Sequence, residues 1–113
     1  MVSIDLTGRR AVVTGATGEL GRAMVRTLAG AGADVAVHYH RNAEMAERLV
    51  DEVRRAGRSA VAAQADVTEP ADVTRLHDEV DAALGSPDII VNNAVIQFAW
   101  TSVLEQPLAD YEG

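Results

Sequence analysis

The sequence predicts a doubly wound parallel α/β domain, in which helices cover both faces of one sheet. Short apolar runs bounded by Gly, Asp, Pro or Asn alternate with longer segments whose apolar residues recur every three or four positions. Continuous apolar runs are typical of parallel strands, and right-handed crossovers leave no other compact arrangement for a strict order of strand, helix and strand. We therefore expect residues 1–113 to form a single domain.

Four strands are predicted from the apolar runs. They span Arg10 to Thr14, Asp34 to Tyr39, Ser59 to Ala65, and Asp88 to Val91. The resulting sheet order is 3-2-1-4, with the fourth strand outermost.

Three helices are predicted between these strands, each with one apolar stripe facing the sheet. The stripes are Leu20, Ala23, Met24, Leu28 and Ala31 on the first helix, Met45, Leu49, Val53 and Ala56 on the second, and Val73, Leu76, Val80 and Ala83 on the third. Gly32, Gly57 and Gly85 stand where helix ends favour a residue that tolerates positive φ. Thr68 is the predicted N-cap of the third helix, with Pro70 in its first turn.

Composition excludes several classes of function. The chain is 48% hydrophobic and 24% charged, and its net charge of −7 argues against nucleic acid or an anionic membrane as partner. It has no cysteine, no apolar run of about 18 residues, and no signal-peptide pattern at its start, so we expect a cytoplasmic protein. All ten basic residues are arginine, so no step on these residues can use a lysine amine.

A glycine-rich turn follows the first predicted strand and opens the first helix. In Thr14-Gly-Ala-Thr-Gly-Glu-Leu-Gly21, the glycines at 15, 18 and 21 permit a tight turn, close approach of backbone to a phosphate, and close packing of helix on strand. The helix N-terminus offers free N–H groups to a pyrophosphate. This context predicts a Rossmann-type, three-layer α/β/α nucleotide-binding fold.

Two further motifs make the resemblance specific. Asp66 and Val67 follow the third predicted strand, and Asn92, Asn93 and Ala94 follow the fourth. Together with the glycine turn, these motifs resemble the N-terminal part of a short-chain dehydrogenase/reductase over nearly the whole chain. The resemblance implies that Asp66 hydrogen-bonds the adenine and that Val67 lines its pocket. It also places the backbone of residues 92–94 beside the adenosine half of the cofactor, with Asn92 tying neighbouring strands together.

The chain departs from the family's commoner pattern at two positions. Glu19 stands where the second glycine is usual, and the spacing present resembles the extended and atypical members. Val95 replaces the glycine that ends the Asn-Asn-Ala-Gly motif, so we expect the loop after the fourth strand to follow a different course.

Cofactor choice is encoded about 20 residues beyond the glycine turn, where an acidic residue would bind the ribose hydroxyls of NAD. Tyr39 occupies that place and is followed by His40 and Arg41, with no acidic residue between Val35 and Ala43. The arginine fork suits a 2′-phosphate, so NADP is favoured over NAD. The predicted cofactor-binding residues are Gly15, Thr17, Gly18, Leu20, Gly21, Tyr39, His40, Arg41, Asp66, Val67, Asn92, Asn93 and Ala94.

No catalytic residue and no metal site are predicted. The family uses a serine with a Tyr-x-x-x-Lys pair. In this sequence the residue four places after Tyr39 is Ala43, and Tyr111 has no residue four places later. Ser102 has no base placed to activate it. His38 and His40 share a strand face but lack a third metal ligand. The chain therefore resembles a cofactor-binding half, truncated after the fourth strand and inactive alone.

Three functions remain open at this point. The first is an NADP(H)-dependent oxidoreductase acting on a carbonyl or alcohol substrate. The second is a non-catalytic nucleotide-binding module, and the third an epimerase-like or redox-sensing relative. Phe98 and Trp100, in the loop after the fourth strand, suit an apolar substrate pocket and core packing equally. The outer edge of the fourth strand predicts a homo-oligomer or an aggregation-prone fragment.

Overall fold

The computed structural model describes residues 4–93, which form a four-stranded parallel sheet with three helices. The elements in chain order are β1 Arg10–Val13, α1 Glu19–Gly30, β2 Asp34–Tyr39, α2 Ala43–Arg55, β3 Ala60–Gln64, α3 Pro70–Leu84 and β4 Ile89–Val91. The sheet order is β3-β2-β1-β4, and every neighbouring pair is parallel. The predicted Rossmann-type α/β class and strand order are confirmed.

The helices lie on opposite faces of the sheet. Helices α1 and α2 cover one face, where Val13, Val35 and Val37 pack against Val25 and Leu49. Helix α3 covers the other face through Leu76 and Val80. The result is a three-layer α/β/α arrangement. The β1-α1-β2 and β2-α2-β3 connections cross over with the same hand and place α1 and α2 on one face, and the chain then passes to the other side of β1, which places α3 on the opposite face.

The predicted stripe of α1 is wrong by one position. Gly21, Val25 and Ala29 are its buried residues, whereas Leu20 is 61% exposed and Met24 and Leu28 pack only at the margin of the core. Small residues face the sheet here because α1 lies close against the glycine turn. The other two stripes are confirmed in their centres: α2 buries Leu49 and Val53 with Ala46 and Val50, and α3 buries Leu76 and Val80.

Loop chemistry accounts for most helix ends. Gly32, Gly57 and Gly85 all have positive φ, as predicted. The side chain of Asn42 caps α2 by accepting from the Met45 N–H at 3.2 Å. Thr68 does not cap α3, because its hydroxyl donates to Asp66 instead and the chain continues through Glu69 before the helix begins at Pro70.

Two absences hold for residues 4–93. No helix in this range is both long and apolar enough to cross a membrane. No group of three His, Cys, Asp or Glu side chains within it is placed to hold a metal ion. Ala94, Val95, Phe98, Trp100, Ser102 and Tyr111 lie outside the described residues.

Candidate functional site

The glycine turn joins the carboxyl end of β1 to α1 and requires glycine at two of its three positions. Gly15 has φ of +63°, in the left-handed region that favours glycine. A Cβ on Gly21 would lie 2.7 Å from the Cα of Ala16 and still closer to the carbonyl oxygen of Gly15. Since both neighbours are backbone atoms, the close packing of α1 on the turn depends on Gly21.

The N-terminus of α1 is open to a ligand. Gly18 is its N-cap in extended conformation, and no side chain caps the helix. The first N–H groups of a helix have no partner within it, and the N–H groups of Glu19 and Leu20 donate to no other residue of the described part. Both residues are exposed, and because α1 follows the carboxyl end of β1, the partial positive charge of the helix N-terminus lies at the carboxyl edge of the sheet.

The start of the turn is fixed by His38, near the end of β2. Its backbone oxygen accepts from the Ala16 N–H at 3.0 Å, and its ring Nδ1 accepts from the Gly15 N–H at 2.9 Å. Its Nε2 lies 2.8 Å from the carbonyl oxygen of Ala65, just after β3. The ring is 2% exposed. The sequence pointed to His38 only as a possible metal ligand, and this role was not predicted. Its one signal in the sequence is a lone polar side chain inside an apolar strand.

The segment after β2 presents basic groups to solvent. Tyr39 packs partly against the core under α1 and α2, whereas His40 and Arg41 are exposed. Within residues 4–93, Arg41 forms no ion pair, although its charge helps to hold the pKa of Asp66 down. The carboxyl end of β2 contributes no carboxylate that could pair with Arg41, because the sequence has no acidic residue there.

Asp66 lies in the loop after β3, and its surroundings favour the ionised carboxylate. Its Oδ1 accepts from the Thr68 hydroxyl at 2.6 Å and from the Thr68 N–H at 3.0 Å. These bonds, with the charges of His40 and Arg41, lower the pKa of Asp66 below its ordinary value. Its Oδ2 lies 4.0 Å from His40 Nε2. Val67 follows, half-buried.

The strand tie expected of Asn92 is made by Asn93 instead. The Asn93 N–H donates to Thr14 Oγ1 at 2.9 Å, and its side-chain amide donates to the Gly15 oxygen at 3.1 Å. Thr14 in turn donates to the Val91 oxygen from its N–H at 3.0 Å. Backbone groups of a strand point to the same neighbour every second residue, so 91 and 93 face β1 while 92 does not. Asn92 is exposed.

The predicted residues gather at one edge of the sheet. The turn, the end of β2, the loop after β3 and the end of β4 all lie at the carboxyl ends of their strands, where ligands of open α/β sheets bind. A hollow of about 530 Å³ runs from this edge along α3 and β4, and Thr14, Val67 and Asn92 line its upper end. Below them its walls are apolar, with Val73, Leu76 and Ile90.

Comparison with known proteins agrees with this architecture. The family model for short chain dehydrogenases matches residues 9–111. A short-chain dehydrogenase/reductase of Pestalotiopsis microspora is 44% identical over 98 residues, which are 86% of this chain and 37% of that protein. The chain thus spans a little over a third of the length of this relative.

Solved structures give the same answer. A short chain dehydrogenase from Burkholderia cenocepacia in complex with NADP superposes with a TM-score of 0.79 at 43% identity, covering 93% of this chain and 42% of that one. A 7 alpha-hydroxysteroid dehydrogenase in complex with NADH and 7-oxo glycochenodeoxycholic acid gives a TM-score of 0.82 at 34% identity, covering 97% and 42%. A parallel sheet with a glycine turn at its carboxyl edge defines the class of dinucleotide-binding folds. Within that class, the chain belongs to the short-chain dehydrogenase/reductase family.

Proposed function

We propose that this chain is the cofactor-binding part of a short-chain oxidoreductase that uses NADP(H) in preference to NAD(H). The whole protein would transfer hydride between the nicotinamide and a carbonyl or alcohol substrate, as the family resemblance implies. The observation that carries the proposal is the glycine turn with the open N-terminus of α1 behind it, at the carboxyl edge of a parallel sheet.

The pyrophosphate would bind at the turn. Gly15 and Ala16 donate to His38, so the free donors lie further along, at the first turn of α1. Glu19 sits in this first turn and is exposed, which lets its carboxylate point to solvent and away from the phosphates. We therefore expect the phosphates to lie between Thr17 and Gly21, over the predicted residues Gly18 and Leu20.

The choice of NADP(H) rests on the end of β2. Arg41 is exposed and, within the described residues, not engaged in an ion pair, and its planar guanidinium can bind a 2′-phosphate with two hydrogen bonds. His40 adds a second basic group, and Tyr39 lies where an NAD-specific site would carry a carboxylate. The structurally similar proteins include one complex with NADP and one with NADH. The proposed preference of this chain for NADP(H) therefore rests on these side chains.

The adenine would lie against Val67. The Asp66 carboxylate is ionised and has Oδ2 available to accept from the adenine amino group, since Thr68 occupies Oδ1. Asn93 holds the end of β4 to the glycine turn, which would keep the backbone of Asn92 and Asn93 at the adenosine half of the site. Among the residues at this end of the hollow beside α3, Val67 would provide the apolar contact, since Thr14 and Asn92 are polar.

We also propose that these 113 residues bind the dinucleotide but do not catalyse hydride transfer by themselves. The sequence has no lysine, which the Tyr-x-x-x-Lys pair of the family requires. The site contacts of residues 4–93 are backbone donors, basic groups and one carboxylate, which suit binding rather than proton transfer to a substrate. A cytoplasmic location is part of this proposal and rests on composition.

Calorimetric titration with NADPH and NADH tests the cofactor assignment. We expect NADPH to bind more tightly, and Arg41→Ala to shrink that preference by about 1–2 kcal/mol, the size of a charge-assisted hydrogen bond. Arg9→Ala is the matched control, because Arg9 is also exposed and basic but precedes β1 at the opposite edge of the sheet. Equal affinities in the unaltered chain, or equal effects of the two substitutions, would overturn the preference for NADP(H).

A further inference from the structure

The His38 side chain links two halves of the candidate site that are distant in sequence. Its ring receives the Gly15 N–H of the glycine turn on one side and reaches the Ala65 carbonyl, next to Asp66, on the other. With the backbone bond from Ala16 to the His38 oxygen, two consecutive N–H groups of the turn end on this one residue. The turn and the loop after β3 are thus fixed relative to each other by a single imidazole.

These bonds define the protonation state of the ring. The Gly15 N–H can only donate, so Nδ1 must carry a lone pair, and Nε2 then carries the proton that it donates to Ala65. The neutral ring therefore satisfies both of its nitrogens. A protonated ring has donors at both positions, and Nδ1 would then oppose the Gly15 N–H donor to donor.

We propose that His38 is a positioning residue of the dinucleotide site, whose neutral ring holds the glycine turn in its binding shape and whose protonation releases that turn. This inference rests on the function proposed above. The buried His38 side chain, whose ring nitrogens both bond to backbone, would set the position of the backbone that binds the phosphates.

The surroundings of the ring favour the neutral form. Burial lowers the pKa of His38 below its ordinary value, the bond to the Ala65 oxygen opposes this in part, and the charge of His40 lowers the pKa further. Within residues 4–93, no carboxylate forms an ion pair with the ring. Of the acidic residues that follow Ala65, Asp66 accepts from Thr68, and Asp72 accepts from the Asp66 N–H and pairs with Arg75. Protonation would thus place an uncompensated charge under the turn.

Two substitutions separate the two bonds, and a third serves as a control. The amide oxygen of Asn falls near the position of Nδ1, so His38→Asn keeps an acceptor for Gly15 and cannot be protonated. The terminal amide of Gln falls near Nε2, so His38→Gln keeps the bond to Ala65 and loses the acceptor for Gly15. His77→Asn is the control, because His77 is 65% exposed on α3 and bonds neither segment.

The test is the dissociation constant for NADPH from pH 8 to pH 5 in these four chains. We expect His38→Gln to bind about tenfold more weakly than the unaltered chain at pH 8, and His38→Asn to bind within about threefold of it. As the pH falls, the unaltered chain and His77→Asn should lose affinity relative to His38→Asn. Titration of the 2′-phosphate is common to all four chains, so it cancels in this ratio.

A second measurement separates failure of this inference from failure of the proposed function. In an NMR titration without ligand, the Gly15 amide resonance should shift with the same midpoint as the His38 ring signals. A chain that binds no dinucleotide overturns the proposed function, and the Gly15 amide then decides whether the ring holds the turn. The role of His38 would be overturned by either of two results. One is equal affinity and equal pH dependence in the unaltered chain, His38→Asn and His38→Gln; the other is a Gly15 amide resonance that does not shift when the His38 ring titrates.

Discussion

The two sides of the sheet differ at particular positions in how completely an apolar residue is buried. On the side of α1 and α2, Val25 and Val35 are fully buried, whereas on the side of α3 and β4, Val73 is 43% exposed and Ile90 is 62% exposed. The β4 run is wholly apolar, whereas β2 contains Asp34 and His38. Neighbours decide the difference: β2 lies between β1 and β3, while within residues 4–93 β4 pairs with β1 alone.

The candidate site straddles these two sides. The glycine turn and the end of β2 belong to the closed side, where His38 and Gly21 fix the backbone. Val67 and Asn92 belong to the open side, along the hollow beside α3. The half proposed to bind the phosphates is therefore tied down by backbone contacts, and the half proposed to bind the adenine is less enclosed.

The largest effect should come from the closest packing on the closed side. Gly21→Ala forces a Cβ into the backbone of Gly15 and Ala16, and we expect it to lower the free energy of unfolding by about 3 kcal/mol and to abolish dinucleotide binding. Gly30→Ala, near the end of the same helix, meets nothing within 4 Å and should instead raise stability by about 0.5–1 kcal/mol. Urea denaturation of both chains measures the contrast, and losses of similar size would mean that α1 does not pack closely on the turn.

A matched pair of helical valines compares the two sides directly. Val25→Ala on α1 should cost about 2 kcal/mol, because it removes two fully buried methyl groups, whereas Val73→Ala on α3 should change stability by less than about 0.5 kcal/mol. The free energies of unfolding from denaturant curves give both values. An equal cost at the two positions would show that the α3 side is as closed as the other.

A substitution in β4 is expected to have the smallest effect on the stability of the fold, but to change the self-association of the chain. Its outer edge has no partner strand within residues 4–93, and a run of Ile89, Ile90 and Val91 beside it does nothing to discourage pairing, so we expect the chain to self-associate. Ile90→Lys should reduce this association, as measured by light scattering across a dilution series. Ile4→Lys is the control, since Ile4 is equally exposed, at 67%, and lies outside the sheet. A monomer that persists at high concentration in the unaltered chain would contradict the prediction.

Much of the fold could be predicted from the sequence because its period changes are clear. Strand β2 has its predicted bounds, β1, β3 and β4 are each shorter by one residue at one or both ends, and the order 3-2-1-4 is confirmed. The glycine turn falls where Gly15, Gly18 and Gly21 placed it, because these positions carry chemistry that is local to the chain.

The failures concern contacts that are not local. The buried stripe of α1 contains Gly21, which no hydrophobicity pattern would choose, because the reason for it is the backbone of the turn above. Asn93 rather than Asn92 ties β4 to β1 because of where β4 ends in the register, which sequence fixes only to within a residue. His38 bonds to Gly15 and Ala65, 23 and 27 residues away, and no short motif encodes such a link.

Mapping of NADPH binding by amide chemical shifts tests the central claim most directly, since it reports on the whole described site at once. A titration of the 15N-labelled chain should shift the amides of Thr17 to Gly21 most, followed by those of His40, Arg41 and Val67, and should leave the amino ends of the strands unchanged. Absence of any shift at saturating NADPH, or shifts confined to the opposite edge of the sheet around Arg9 and Gly85, would contradict dinucleotide binding at the glycine turn.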